Sequence, residues 1–464
     1  MRILMCCADW GVPVGGGAGS SVHLRAMAGA LARLGHQVRL VVSNAGGAFQ
    51  PGVPVETVGY RRLWPTLSAM VETIRGSRTT APSRPAPPDA GPPSPDAPPL
   101  TDAPVPMGSR ALSWKTRFYY ETLPDFADRL EEYCLHPLQV EKALNRSIDA
   151  FVPDAVYERY ALGQTGAART VARAGGNGPL HFLEVNASLV LERSAQGSLS
   201  GPWLRLAAQR EVRLWRGVDR VFCVSEPLRR MVETAGADPA RVLVAPNGVD
   251  VERFTPDRPK GALRRLLGVD SQTVLIGWLG ALSPGRGAQE FLDIMAMTLP
   301  VVDDAMGVLI GGGPLEQACR RQAHDLGLDG RVAFAGMAPH ETVPDLLVDL
   351  DIAVSCYPAQ GENYFSPMKV AEYLASGLAV VAVRAGGADD MITDGVSGLV
   401  VEPADRHGWS LALTALCRDA DLRARLGAQA RRRALAGPTW LGNARRVEQE
   451  ILACRRERDR GGRP

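Results

Sequence analysis

Short apolar runs rich in β-branched residues alternate along this chain with stretches of helical period, and this alternation constrains the fold most. It is typical of βαβ units, in which parallel strands are joined by helices. The alternation occurs twice. One series runs from MRILMCCA to ARVLVAPNG, and the second from TVLIGWLGAL to SGLVVEP. We therefore predict an α/β protein with two doubly wound, Rossmann-like parallel-sheet domains facing a central cleft.

The length of 464 residues supports more than one domain. We predict an N-terminal domain over residues 1–255, a second domain over 262–435, and a C-terminal helix with a basic tail over 436–464 that packs back towards the first domain. The proline-rich stretch at 79–108 is expected to be a disordered insertion. Ligands of open α/β sheets bind beyond the carboxyl ends of the strands, so the cleft is the expected site.

The composition argues against several classes of protein. The 52 Lys and Arg nearly balance the 50 Asp and Glu, which disfavours a nucleic-acid partner. The eight cysteines include no CxxC pair and no cluster at metal-ligand spacing, so neither a metal site nor a disulfide framework is expected. The start resembles a strand rather than a signal peptide, and no apolar window is long enough to span a membrane. We expect a cytoplasmic protein.

The strongest candidate site is the segment SPMKVAEYLASG. It predicts a helix with Ser366 as N-cap, Pro367 at the first helical position and Gly377 just past the end. Such an N-terminus attracts anions, and Lys369 adds positive charge in its first turn. Glu372 lies on the same face, where its carboxylate can accept hydrogen bonds from a ribose diol. The alternative is a capped helix with a Lys369–Glu372 surface ion pair.

Glycine-rich turns follow several predicted strands. Residues 280–287 combine three glycines with Arg286, whose guanidinium suits phosphate oxygens. Residues 311–313 and 15–19 also let backbone approach a ligand closely. The second strand lacks the acidic residue of a dinucleotide fingerprint, and neither GxSxG nor a Walker motif occurs. Ordinary turn chemistry is the alternative for each of these glycines.

The order and spacing of four segments carry a family resemblance. They are GSSVHLRAMAGALARLGHQV, VDRVFCVSEPLRRMV followed by VLVAPNGVDVERFTP, IGGGPLEQACRRQAHDLGLDGRVAFAGMAPHETVPDLL, and SPMKVAEYLASGLAVVAVRAGGADDMITDGVSGLVVEP. Together they resemble the retaining glycosyltransferases of the GT-B fold, in particular family 4, in a subgroup with SPxKxxEY and EVN motifs.

The resemblance implies transfer of a sugar from a nucleotide diphosphate sugar, most commonly a UDP-sugar, with retention at the anomeric carbon. It implies no metal and no cofactor beyond this co-substrate. The donor is expected on the second domain and a small-molecule, glycan or lipid-linked acceptor on the first. Weak peripheral contact with a membrane stays open as an alternative.

The resemblance also assigns roles to residues. Glu372 matches the carboxylate that holds the ribose, Arg286 lies where the family usually has a Lys against the diphosphate, and Gly19 matches a loop glycine near the phosphates. The predicted catalytic residues are Arg286, Lys369, Asn186 and Glu184. The predicted donor-binding residues are Glu372, Ser366, Pro367, Met368, Gly19, Gly280, Gly312 and Gly313.

Three positions depart from the family pattern. Tyr364 occupies the place of a first glutamate, Ala281 that of an arginine, and Asn186 that of a histidine beside the transferred sugar. Two other functions therefore stay open. One is a catalytically silent GT-B protein that acts as the regulatory partner of another transferase, and the other is a sugar-nucleotide epimerase.

Overall fold

The structure is a computed structural model that describes residues 1–46, 52–58, 128–358, 366–385 and 387–461. The proline-rich stretch at 79–108 and Tyr364 lie outside the described residues. The chain divides into two compact units, one of Met1–Gly59 with Gln139–Pro464 and one of Tyr60–Leu138. In the second unit, the described residues hold a π-helical turn, Glu131–Leu135, and the start of a helix at His136.

The larger unit contains two parallel sheets. In its described part, the first sheet has seven strands in the order β3-β2-β1-β4-β5-β6-β7. These strands are β1 (Arg2–Cys7), β2 (Gln37–Val42), β3 (Val55–Thr57), β4 (Ala155–Arg159), β5 (Leu180–Val185), β6 (Arg220–Cys223) and β7 (Val242–Val244). The helices that accompany them in the chain are α1 (Gly19–Arg33), α2 (His136–Phe151), α3 (Gly166–Ala174), α4 (Leu189–Ala195), α5 (Gly201–Gly217) and α6 (Glu226–Thr234).

The second sheet repeats this topology. Its six described strands lie in the order β10-β9-β8-β11-β12-β13. They are β8 (Val274–Leu279), β9 (Ala305–Ile310), β10 (Val332–Gly336), β11 (Ile352–Ser355), β12 (Ala379–Val383) and β13 (Leu399–Val401). The helices are α7 (Ala262–Leu267), α8 (Ala288–Thr298), α9 (Glu316–Asp325), α10 (Val343–Leu347), α11 (Met368–Ala375), α12 (Ala388–Met391), α13 (Arg406–Arg418), α14 (Ala420–Ala436) and α15 (Trp440–Asp459).

Both sheets are doubly wound, which confirms the predicted α/β class. The strand order reverses between β1 and β4 in the first sheet and between β8 and β11 in the second. Apolar clusters cover both faces of each sheet, so the central strands are nearly continuous apolar runs. Each switch point is where ligands of such sheets bind.

The C-terminal helix α15 belongs by packing to the first sheet. Its buried residues Trp440, Val447 and Ile451 lie in one apolar cluster with residues of α1 and β1. The preceding helix α14 packs instead on the second sheet, through Ala430 and Ala434. The chain therefore passes between the two sheets a second time at residues 437–439.

The two passages of the chain between the sheets lie against each other. The backbone N–H of Val249 donates to the carbonyl oxygen of Pro438 at 3.2 Å, and Val249 also forms a β-bridge with Thr439. A Cβ at Gly248 would lie 2.4 Å from the Trp440 backbone nitrogen, so a side chain cannot be placed there without moving backbone. The glycine of the NGVD turn is thus required by close packing.

All eight cysteines are free, and six are buried. They pack as small apolar side chains, as their positions in apolar runs predict. Among the helices that the structure describes, none combines the length and the apolar character needed to cross a membrane.

Candidate functional site

The start of α11 lies at the carboxyl end of the second sheet and begins one residue later than predicted. Pro367 is the N-cap, with no side-chain cap hydrogen bond, and helical residues begin at Met368. The prediction of Ser366 as N-cap is wrong because its hydroxyl is engaged elsewhere: Ser366 Oγ accepts from the backbone N–H of Asn247 at 3.1 Å. Gly377 follows the helix with φ +70°, as predicted for the residue past its end.

Lys369 points its ammonium group into a pocket of aromatic side chains. Its Nζ lies 4.2 Å from the ring centroid of Trp278 and 5.2 Å from that of Tyr357. The Nζ is buried, and no described residue offers it a hydrogen-bond partner. The pKa of Lys369 is lowered from 10.5 to about 8, because burial and the charge of nearby Arg286 disfavour the protonated form more than the charge of Glu372 favours it. A buried ammonium group without a hydrogen-bond partner can be stabilised by a bound anion.

One predicted glycine turn borders this ammonium group, and a second packs against the first. A Cβ at Gly280 would lie 2.9 Å from the Trp278 ring and 3.4 Å from Lys369 Nζ. The turn after β9 packs backbone to backbone against the turn after β8. The N–H of Leu282 donates to the Gly312 carbonyl at 3.0 Å, and a Cβ at Gly313 would lie 2.5 Å from the Leu282 carbonyl oxygen. Both turns therefore need glycine to lie so close.

Arg286 lies in the turn after β8 and is exposed. Its backbone N–H donates to the Ser283 carbonyl at 3.3 Å, which closes the turn. The positive charge of its side chain contributes to the lowered pKa of Lys369. Ala281, the departure from the family pattern, is exposed in the same turn.

Glu372 is buried and pairs with a histidine that the sequence analysis did not single out. His340, in the loop after β10, places Nε2 2.8 Å from Glu372 Oε1. The alternative of a Lys369–Glu372 surface ion pair is wrong, because the Glu372 carboxylate and the Lys369 Nζ are both buried and Glu372 binds His340 instead.

The first sheet contributes a buried carboxylate with four hydrogen-bond donors. Glu184, at the end of β5, accepts from Arg159, Tyr157, Asn186 and the imidazole of His23, at 2.5 to 2.9 Å. Burial alone would raise the pKa of Glu184, but the charges of His23 and Arg159 and the hydrogen bonds hold it well below its usual range. Glu184 is therefore an ionised group at the centre of a network, and Asn186 is oriented by it.

A buried path of hydrogen bonds continues from Glu184 to the start of α11. His23, in the second turn of α1, places Nδ1 2.7 Å from Asn247 Oδ1. Asn247 in turn donates from Nδ2 to the Ser366 carbonyl oxygen at 2.8 Å. Gly19 also faces this helix, since a Cβ there would lie 3.6 Å from Met368 Sδ. The structure thus brings predicted residues of both domains together.

Sequence reasoning missed His23, His340, Trp278 and Tyr357. His23 and His340 stand inside quoted family segments, but their partners are 161 and 32 residues away, so no local spacing marks them. Trp278 and Tyr357 look like ordinary apolar residues at the ends of strands. No group of three or more potential metal-ligating side chains occurs in the part of the chain that the structure describes.

Comparison with known proteins identifies the family. The protein-family model described as "Glycosyltransferase Family 4" matches residues 110–253, and the family model described as "Glycosyl transferases group 1" matches residues 260–433. A D-inositol 3-phosphate glycosyltransferase of Frankia alni is 32% identical over 306 residues, which cover 63% of this chain and 72% of that protein. The chain belongs to glycosyltransferase family 4.

Other family members are similar over shorter stretches. A D-inositol 3-phosphate glycosyltransferase of Corynebacterium kroppenstedtii is 34% identical over 46% of this chain and 48% of that protein. A GDP-mannose-dependent alpha-(1-6)-phosphatidylinositol monomannoside mannosyltransferase of Mycolicibacterium smegmatis is 30% identical over 53% of this chain and 65% of that protein. The chain thus spans about half the length of several curated relatives that it matches.

Solved structures of similar proteins confirm the GT-B fold. HepE of Anabaena, in complex with UDP and glucose, has a TM-score of 0.67 at 17% identity and covers 98% of this chain and 100% of its own. Sucrose-phosphate synthase of Thermosynechococcus elongatus has a TM-score of 0.65 at 15% identity, with 98% of both chains covered.

Proposed function

We propose that this chain is a retaining glycosyltransferase that moves a sugar from a nucleotide diphosphate sugar to a hydroxyl-bearing acceptor. The observation that carries the proposal is the buried Lys369 ammonium, which has no hydrogen-bond partner among the described residues and lies beside the glycine turn at Gly280. A buried cation without a partner is unfavourable, and a bound diphosphate supplies the missing anion.

The arrangement of charges suits cleavage of a sugar–diphosphate bond. Negative charge develops on the leaving diphosphate as this bond breaks, so fixed cations and N–H groups lower the barrier. Lys369, Arg286 and the backbone N–H groups at the start of α11 supply them, beside the close-packed glycine turn at Gly280. The proposed mechanism needs no metal ion, and we expect activity to survive EDTA.

Glu372 would accept hydrogen bonds from the ribose, as the family resemblance implies. Its carboxylate lies one helical turn beyond Lys369, so a nucleoside diphosphate with its phosphates at Lys369 brings its ribose towards Glu372. We propose UDP as the nucleotide. HepE binds UDP, whereas the Mycolicibacterium smegmatis relative uses GDP-mannose, so both bases belong in the test.

On the first domain, we propose different roles for Glu184 and Asn186. Four donors occupy the two oxygens of Glu184, so we propose that it positions neighbouring groups and does not take a proton itself. Asn186, which donates Nδ2 to Glu184, keeps its amide oxygen for the sugar or the acceptor hydroxyl. The acceptor oxygen attacks the anomeric carbon on the side of the leaving group, and its proton passes to a leaving phosphate oxygen. No protein nucleophile is then required.

A thermal-shift panel of UDP, GDP, ADP and dTDP tests the donor half of this proposal. A nucleotide at about 100 times its dissociation constant stabilises the folded protein by about 2.7 kcal/mol. We expect one of the four to do so in the wild type and none in Lys369→Met. Lys260→Met is the matched control, because Lys260 is exposed in the linker between the sheets, residues 245–261. If none of the four nucleotides stabilises the wild type, the proposal is rejected.

One observation favours a second candidate function. Ala281 replaces an arginine that the family usually carries in the diphosphate turn, and an alanine side chain supplies no positive charge there. A silent GT-B protein that regulates another transferase would bind a nucleotide without consuming a nucleotide sugar. Replacing Ala281 with Arg separates the two candidates: a gain in turnover from a measurable basal rate supports the enzyme, and zero turnover in both proteins supports the silent partner.

A further inference from the structure

We propose that His340 is a positioning residue that orients the Glu372 carboxylate towards the ribose diol of the donor. This inference rests on the proposed role of Glu372. The two side chains meet in a nearly buried contact, with Nε2 of His340 2.8 Å from Oε1 of Glu372 and exposed side-chain fractions of 13% and 8%. Because a carboxylate oxygen can only accept, Nε2 of His340 carries the hydrogen.

The imidazole is itself held from the linker between the sheets. Its ring packs against Phe254, with ring centroids 5.6 Å apart and an interplanar angle of 51°. The guanidinium of Arg253 donates to the His340 backbone carbonyl oxygen at 2.7 Å. Phe254 is almost completely buried, so these two contacts fix both the backbone and the ring of His340.

The contact leaves the two oxygens of Glu372 unequal. Oε1 receives the hydrogen bond from His340, whereas Oε2 receives none from the described residues. A carboxylate held at one oxygen loses little rotational freedom on binding a ligand at the other, so its hydrogen bond to a ribose hydroxyl gains more affinity. His340 therefore determines how strongly the site prefers a nucleotide with a ribose diol to one without it.

The test is calorimetric titration of the full chain with UDP and with 2′,3′-dideoxy-UDP, and with the corresponding GDP and ADP pairs. His340→Phe keeps an aromatic ring against Phe254 and removes the donor. His340→Gln keeps a donor at the reach of Nε2. We expect the wild type to prefer the ribonucleotide, His340→Phe to lose about ten-fold of that preference, and His340→Gln to retain most of it. His340→Leu is a second variant without a donor if the phenylalanine variant does not fold.

The outcomes separate this inference from the function on which it rests. Equal weakening of both nucleotides in His340→Phe, or no change in either, would show that His340 has only a structural role. If Glu372→Gln loses the preference and His340→Phe keeps it, the positioning role of His340 is rejected and the ribose-binding role of Glu372 stands. Retention of the preference in Glu372→Gln, or no preference in the wild type, removes Glu372 from the ribose site and overturns both assignments.

Discussion

At the scale of single residues, Glu184 and the Lys369 ammonium are buried charged groups of the candidate site with opposite environments. Glu184 is surrounded by donors, whereas the Lys369 ammonium faces aromatic rings and has no hydrogen-bond partner among the described residues. A fully satisfied charge is typical of a structural network, and an unsatisfied one indicates a site that is completed by a ligand. The two residues should therefore respond differently to substitution.

Lys369 gives a prediction about pH. Its pKa of about 8 means that the side chain is charged at pH 7 and loses its proton as the pH rises through 8. If the charged form binds the diphosphate, the dissociation constant for UDP should rise roughly ten-fold between pH 7 and pH 9. Calorimetric titration across this range measures it. Lys369→Arg, which stays protonated, should bind UDP with a dissociation constant that does not change with pH, and a rise of the same size in that variant would assign the titration to another group.

Glu184 gives a prediction about stability. Glu184→Gln removes the negative charge and leaves the buried His23 and the partly buried Arg159 beside a neutral amide, which should lower the free energy of unfolding by about 3 kcal/mol. Urea unfolding at pH 7 measures the change. The exposed Glu252→Gln serves as the control, with an expected change within about 0.5 kcal/mol. Equal effects in the two variants would contradict the described network.

The sequence identified residues that are neighbours along the chain more readily than residues that meet across it. Lys369 and Glu372 share one helical turn, so their spacing alone placed them on one face. His340 and His23 meet their carboxylates only after the chain has crossed a sheet, and their contacts are set by tertiary packing. The burial of Lys369 could not be predicted either, because it depends on Trp278 in β8 and on Tyr357, which follows β11.

At the scale of elements, apolar runs predicted strands well because parallel strands are buried on both faces. The start of α11 was predicted one residue too early, since Ser366 has the ordinary chemistry of an N-cap but its hydroxyl accepts from Asn247. Local sequence preferences therefore predicted the helix, whereas a tertiary contact with Asn247, which follows β7, determined its first residue.

Gly248 offers a test of the close packing between the two linking segments. A Cβ there meets the backbone of Thr439 and Trp440 at 2.4 to 2.5 Å, so Gly248→Ala should lower the free energy of unfolding by about 2 kcal/mol or more. The matched control is Gly29→Ala in α1, where a Cβ meets nothing within 4 Å, and alanine should stabilise the helix by about 0.5 to 1 kcal/mol. A neutral Gly248→Ala would contradict the described approach.

At the scale of the whole molecule, a hydrogen-bonded path joins the end of β5 to Ser366, the residue before the N-cap of α11. Asn247 is its central member, because it contacts His23 on one side and Ser366 on the other. Asn247→Ala should therefore raise the KM for the donor about ten-fold and lower the free energy of unfolding by about 1 to 3 kcal/mol. Steady-state kinetics and urea unfolding measure the two effects. A loss of stability with unchanged KM would limit the path to a structural role.

Sugar transfer underlies the proposed roles of all these residues, and mass spectrometry of the reaction products tests it most directly. The protein is incubated with UDP- and GDP-sugars, each with and without small-molecule and lipid-linked hydroxyl acceptors. We predict that one acceptor gains the mass of the sugar, that nucleoside diphosphate is released in equal amount, and that Lys369→Met abolishes most of both. A change in the nucleotide sugar without acceptor would indicate an epimerase. No consumption of any nucleotide sugar, or equal product from Lys369→Met, would contradict the account.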